Sequence, residues 1–366
     1  MAVVEYLAGA VLVLIVLSDI FRTVLLPRPA HRALRLGPLL GMSLAPLWRR
    51  LARGFGTAAR RQTFRASLGP LLLTMSILVW AGLLVAGYAL MLHARAGDTR
   101  PTPDFLDALF EAGSAFVTIG FTDLQITGPS RIVVVLAGMT GLAGVTILAT
   151  FILSVQASLQ AREVLTIQLG ATVKRPFTGL AILLALRHNN SHDLLPDLFR
   201  DWSRWSAGVL YSHHANPILI EFRSAEEDGE WLAALGALLD AATIVLAYMD
   251  GEKLVEEFSA AREFYLTGGH AVLELARLFA VDEADEERPE DPASDATIRD
   301  ALEDAGYAIS PAADSAERAA RFRASYLGRL RALADEFDIR IEKDLLARPA
   351  ENAGPLADAR HFYRLS

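Results

Sequence analysis

The chain has 366 residues, 52% hydrophobic and 21% charged, with a formal net charge of −8 and a mean hydropathy of +0.31. That balance is high for a soluble protein, and the charges gather outside long apolar runs, so the expected class is a membrane protein with one further domain. The chain holds no cysteine, which excludes disulfides, thiolate metal sites and cysteine nucleophiles together.

The first apolar run, Val3 to Leu26, would be about 35 Å long as a helix, enough to cross a bilayer. It lacks a basic leader and a small-residue cleavage motif, so a retained helix is expected rather than a cleaved signal. Asp19 and Arg22 lie near its end. An intramembrane acid is a functional candidate, and an acid beside an arginine at the interface also reads as an anchor.

Residues 28–66 carry nine arginines and no acid. Between two spans, this is expected to be a cytoplasmic linker under the positive-inside rule and not a nucleic-acid surface. Within it, Leu36 to Leu51 ends in Trp48-Arg49-Arg50 and is a candidate interfacial helix on anionic lipid headgroups.

Leu68 to Leu92 is the second expected span, followed by a polar loop to Pro103. Then comes DFLDALFEAGSAFVTIGFTD, residues 104–123. Its first half is a short amphipathic helix, apolar at Phe105, Leu109, Ala112, Ala115 and Phe116, with Asp104 as N-cap. A polar turn over Thr122 to Arg131 leads into a third span, Arg131 to about Leu159, with Gly138, Gly141 and Gly144 recurring every third residue. A half-length helix, a glycine-containing loop and a full span describe a re-entrant loop, irregular backbone tolerated at membrane depth only where it lines a water-filled path.

Thr118-Ile119-Gly120-Phe121-Thr122-Asp123 resembles the TVGYGD filter of potassium channels, and Arg131 onward resembles their inner helix. With the preceding outer helix the resemblance spans about 90 residues. The resemblance implies ion-binding positions at Thr118, Ile119, Gly120, Phe121 and Thr122, the outer mouth at Asp123, and inner-helix hinge candidates at Gly141 and Gly144. Thr118, Ile119 and Gly120 would lend oxygens to the ion, while Ile119 and Phe121 side chains would pack outward. Two positions depart: Val117 stands where the family usually has a second threonine, and Thr122 where it has a second filter glycine. That glycine normally takes a left-handed conformation, costly for a β-branched residue, so the outermost ion site is the weak point. Trk/Ktr-type transporters, similar around Ser114 to Phe121, carry a single glycine there but fuse four repeats in one chain.

The basic linker sets the expected topology, N-terminus outside and tail cytoplasmic, and the resemblance implies a bacterial inner membrane. Asp98, Asp104, Asp107, Glu111 and Asp123 would then lie at the outer mouth or its walls. After Leu159 the pattern is helical, with apolar recurrences over Trp202–Val209, Trp231–Tyr248, Leu254–Phe279 and Ala313–Phe337. Val281 to Ala296 is acidic and proline-containing, a linker by composition. Residues 212–224 resemble a motif in the tails of a bacterial ion-channel family with this three-span layout. His188 with His192, and His213 with His214, are the only histidine pairings of note in the tail, and ordinary caps or core contacts are the simpler reading. No glycine-rich phosphate loop follows a strand.

The expected fold is an all-α membrane protein. Its parts are a first transmembrane helix (1–27), a basic linker (28–66), a pore domain (67–158), a cytoplasmic helical domain (159–280), an acidic linker (281–297) and a C-terminal helical segment (298–366). The expected function is the pore-forming subunit of a homotetrameric potassium channel, with no catalytic residues, no cofactor and no metal beyond permeant K+. Its expected partners are identical subunits and membrane lipids, with no nucleic acid. The alternatives are a weakly selective cation channel, because of Thr122, and a membrane-anchored sensor or scaffold whose pore does not conduct.

Overall fold

The computed structural model describes residues 1–25, 66–173, 177–188, 192–223, 231–282, 292–337 and 339, and within the linker residues 47, 48, 50, 51, 54, 60, 63 and 64. Most of the basic linker, the greater part of the acidic linker and the segment after 339 lie outside the described residues. The described residues are all-α apart from a two-stranded ribbon, and the chain divides into two units. One holds Met1–Ala157 with His214–Phe222, the other Ser158–His213 with Arg223–Ser366.

In the first unit, α1 (Ala2–Ile20) continues through a π-helical turn, Phe21–Leu25, and packs against α2 (Leu68–His93). Three cross-contacts fix an antiparallel register. Glu5 Oε1 meets His93 Nδ1 at 2.6 Å, and Trp80 Nε1 donates to Asp19 Oδ2 at 2.8 Å. Between them a Cβ on Gly9 would stand 2.5 Å from the Gly87 carbonyl oxygen. Small residues at such a crossing let two apolar helices approach to backbone contact. Asp19 is thus tied to the neighbouring helix, which favours its anchoring role.

After α2 a short ribbon pairs β1 (Thr99–Arg100) with β2 (Gln125–Ile126). Between the strands lies α3 (Phe105–Phe116), and after them α4 (Ser130–Thr172). The cap of α3 is the expected one: Asp104 accepts from the Asp107 amide at 2.8 Å, while Asp107 reciprocates at 3.1 Å. Helix α4 is longer than its sequence suggested. Its 43 residues extend about 64 Å, roughly twice the hydrocarbon thickness of a bilayer. No proline interrupts it, and buried Arg162, Thr166 and Leu169 give its last turns a packed face.

Helix α4 passes through the boundary at Ala157/Ser158, and the second unit follows with α5 (Gly179–His188), α6 (Leu195–Ala215, up to His213), α7 (Trp231–Tyr248), α8 (Val255–Leu278), α9 (Pro292–Asp304), α10 (Ser315–Ala324) and α11 (Leu327–Glu336). Its centre is α7, buried on all sides and packed by α5, α8, α10 and α11. Among the described residues, four helices are long and apolar enough to cross a membrane: Ala2–Val24, α2, α4 and α7. The share of the apolar window buried inside the protein is 22%, 33% and 17% for the first three but 94% for α7. A helix apolar all round and enclosed by protein is a core helix. The stretch expected as one helix over Ala313–Phe337 is two. At the break Tyr326 turns fully into the core, and the Ser325 hydroxyl donates to the Phe322 carbonyl and meets Tyr265 OH at 2.8 Å.

Candidate functional site

The filter residues singled out in sequence, Thr118 to Thr122, lie in the loop leaving α3. Val117 N–H still bonds the Gly113 carbonyl and Thr118 N–H that of Ala115, so the helix closes at Thr118. There the chain reverses hand. Thr118 takes φ 60° and Gly120 φ 74°. For Gly120 this costs little, but for a β-branched residue it is a strained conformation of the kind that collects at functional sites. Sequence reasoning placed the strain at Thr122, where a glycine was expected. The structure corrects this. Thr122 lies outside the left-handed region, and its hydroxyl closes a small turn with the Leu124 amide and carbonyl, both at 3.1 Å.

Two consecutive amides, of Ile119 and Gly120, converge on the Ser114 carbonyl at 2.9 and 3.3 Å. In a trans peptide the N–H and the preceding carbonyl point in opposite directions. The carbonyls of Thr118 and Ile119 are therefore directed away from the Ser114 carbonyl at the end of α3. Phe121 differs: its carbonyl accepts the Ser114 hydroxyl at 2.8 Å and is turned back to the helix. Ser114 thus organises the loop through both its carbonyl and its hydroxyl, a role the sequence did not signal.

The apolar side chains of the loop do not pack on their own chain. Val117, Ile119 and Phe121 are 55%, 63% and 72% exposed. The alternate residues Thr118, Gly120 and Thr122 line a partly open cavity of about 400 Å³ with Glu111, Ala115, Leu124, Ile126 and Val134.

The glycines of α4 divide. A Cβ on Gly141 would stand 1.7 Å from the Phe116 carbonyl oxygen, and one on Gly138 3.3 Å from that of Ala115, so both are seats for the end of α3. Gly144 meets nothing within 4 Å.

The acids also part company in their contacts. Asp123 is exposed beside the loop, and Asp104 and Asp107 cap α3. Glu111 is buried. Asp98 ties the ribbon to α4: its carboxylate accepts from Arg95 Nε at 2.9 Å and Ser130 Oγ at 3.1 Å, and its carbonyl from the Thr127 amide and hydroxyl. The Arg95 hydrogen bond holds the Asp98 carboxyl below its ordinary range.

In the second unit His213 is fully buried, its Nδ1 2.8 Å from the Val209 carbonyl and its ring 5.2 Å from that of Trp231. No group of three or more His, Asp or Glu able to hold a metal occurs among the described residues. A buried ion pair there was not singled out in sequence: Asp240 Oδ1, in the middle of α7, accepts from Arg323 Nε at 2.7 Å and lies 2.6 Å from Nη2 as an ion-pair contact, with both side chains almost wholly buried. Comparison with protein-family models, curated proteins and solved structures finds no match to this chain.

Proposed function

We propose that this protein is the pore-forming subunit of a homotetrameric channel that conducts potassium passively through the loop Thr118–Thr122. On this reading Ala2–Val24, α2 and α4 cross the membrane, α3 and its loop re-enter it as pore helix and filter, and the second unit is cytoplasmic. The observation that carries the reading is the paired aim of the Ile119 and Gly120 amides at Ser114, which turns two successive carbonyls away from it. One chain supplies one such loop, and a ring of carbonyls able to replace an ion's hydration shell needs four copies about an axis. The same assembly would bury Ile119 and Phe121, which a single chain leaves in the open.

A second reading, a weakly selective cation channel, draws on the Phe121 carbonyl. Held by Ser114, it is withdrawn from an outer ion position, which leaves fewer carbonyl rings in series. The deciding experiment is the reversal potential of the purified full chain in planar bilayers, with potassium on one side and sodium on the other. Reversal near the potassium potential is expected. Reversal near zero with clear current would support the second reading, and a non-conducting monomer or dimer would overturn both in favour of a membrane-anchored scaffold.

A further inference from the structure

Behind the loop sits an acid that the proposed conduction path does not use. Glu111, in the middle of α3, is 5% exposed, and its carboxylate makes no hydrogen bond or ion pair with any described residue. It lines the cavity of about 400 Å³ together with Thr118 and Thr122. The carboxylate meets no donor among the described residues, so water or an ion in the cavity is what it contacts. The room is ample: at about 30 Å³ per water, the space admits roughly a dozen.

The lining decides what kind of ligand fits. Among the residues named, it offers one formal negative charge, two threonine hydroxyls and backbone oxygen, with no imidazole or thiolate. Hard oxygen donors select alkali and alkaline-earth cations over transition metals. A divalent ion such as calcium takes six to eight oxygens, typically from several carboxylates, and a single carboxylate balances one positive charge. The Thr122 hydroxyl, though engaged with Leu124, retains a lone pair. We propose that the cavity between α3 and the loop is a monovalent-cation site, anchored by the Glu111 carboxylate and completed by Thr118, Thr122 and water. The site deepens the reading of the loop as an ion path and rests on it for the supply of its ligand. A cation there would also brace the strained backbone at Thr118 from behind.

The test is anomalous diffraction from crystals of the full chain grown with thallium(I), a monovalent probe of potassium-like size, at pH 8. The expected result is a peak beside Glu111 in the wild type, retained in E111D and lost in E111Q. Wild-type density showing only water beside Glu111 overturns the proposal, whether or not either variant folds, and so does a peak unchanged in E111Q. Peaks along the Thr118 and Ile119 carbonyls report separately on conduction. If they appear without one at Glu111, this inference falls and the channel reading stands. A Glu111 peak with none along the carbonyls upholds the site and removes the support for the path.

Discussion

At residue scale, Ser114 is the side chain on which the loop depends. Its hydroxyl holds the Phe121 carbonyl, and a hydrogen bond of this kind contributes about 1 kcal/mol net. S114A should therefore lower stability by about that amount and release the Phe121 carbonyl, shifting the potassium-to-sodium permeability ratio. An unchanged ratio in a folded variant would show that the outer carbonyl plays no part in selection. Asp98 gives a pH-dependent case. Its carboxyl titrates below the unfolded value because Arg95, foremost, bonds the charged form. The stability it adds is accordingly present above the unfolded value of about 4 and is lost as pH falls through the lowered folded value. The melting-temperature gap between wild type and D98N should be open at pH 7 and close only as the pH falls through the lowered folded value.

Between elements, the contacts at glycine and within the buried ion pair set the energies. Gly141 lets the carbonyl end of α3 touch the backbone of α4, and an added methyl has no space without separating the two helices. G141A should cost at least about 1–3 kcal/mol, the usual range for overpacking. G144A, with nothing near its Cβ, should leave the melting temperature within about a degree or two while stiffening the helix. If the two variants melt alike, the packing role given to Gly141 is wrong. In the second unit, Asp240 and Arg323 join α7 to α10. Burial pulls the Arg323 pKa down, and the Asp240 carboxylate together with Tyr326 and Tyr248 more than offsets it, so the guanidinium stays charged. Removing one partner strands the other charge in the core, so D240N or R323A should each destabilise by about 3–5 kcal/mol. Replacement of both by apolar residues of similar volume should recover most of the loss in denaturant unfolding.

For the whole molecule, the exposed apolar surface is what a single chain leaves unsolved. Phe110, Ile119, Phe121, Ile132, Val135, Met139 and Leu142 are all more than half exposed. Some of that surface suits lipid, but Ile119 and Phe121 stand on a loop whose backbone carbonyls need water. On the proposed reading, assembly about the loop would reconcile the two demands. Native mass spectrometry of the full chain from mild detergent should give four copies of 39.8 kDa, and a monomer as the dominant species would remove the basis for a ring of loops.

Local chemistry sufficed for much of this protein. Hydropathy and length alone marked the apolar helices, because their character follows from composition over twenty residues. The cap at Asp104 and the extent of α7 were likewise legible, since capping and periodicity are local. The meeting of Thr118 and Gly120 in one candidate loop also followed from the order of helix, glycine and span. Tertiary structure alone decided the rest. It made α7 a protein-enclosed core helix, although its hydropathy resembles that of the helices open on the surface, because burial depends on what surrounds a helix. It moved the backbone strain from Thr122 to Thr118, since Ser114 gathers two amides across the turn. It separated Gly141 from Gly144 by the position of one carbonyl, and it paired Asp240 with a residue 83 positions away. Long-range contacts of this kind leave no periodic trace in the sequence.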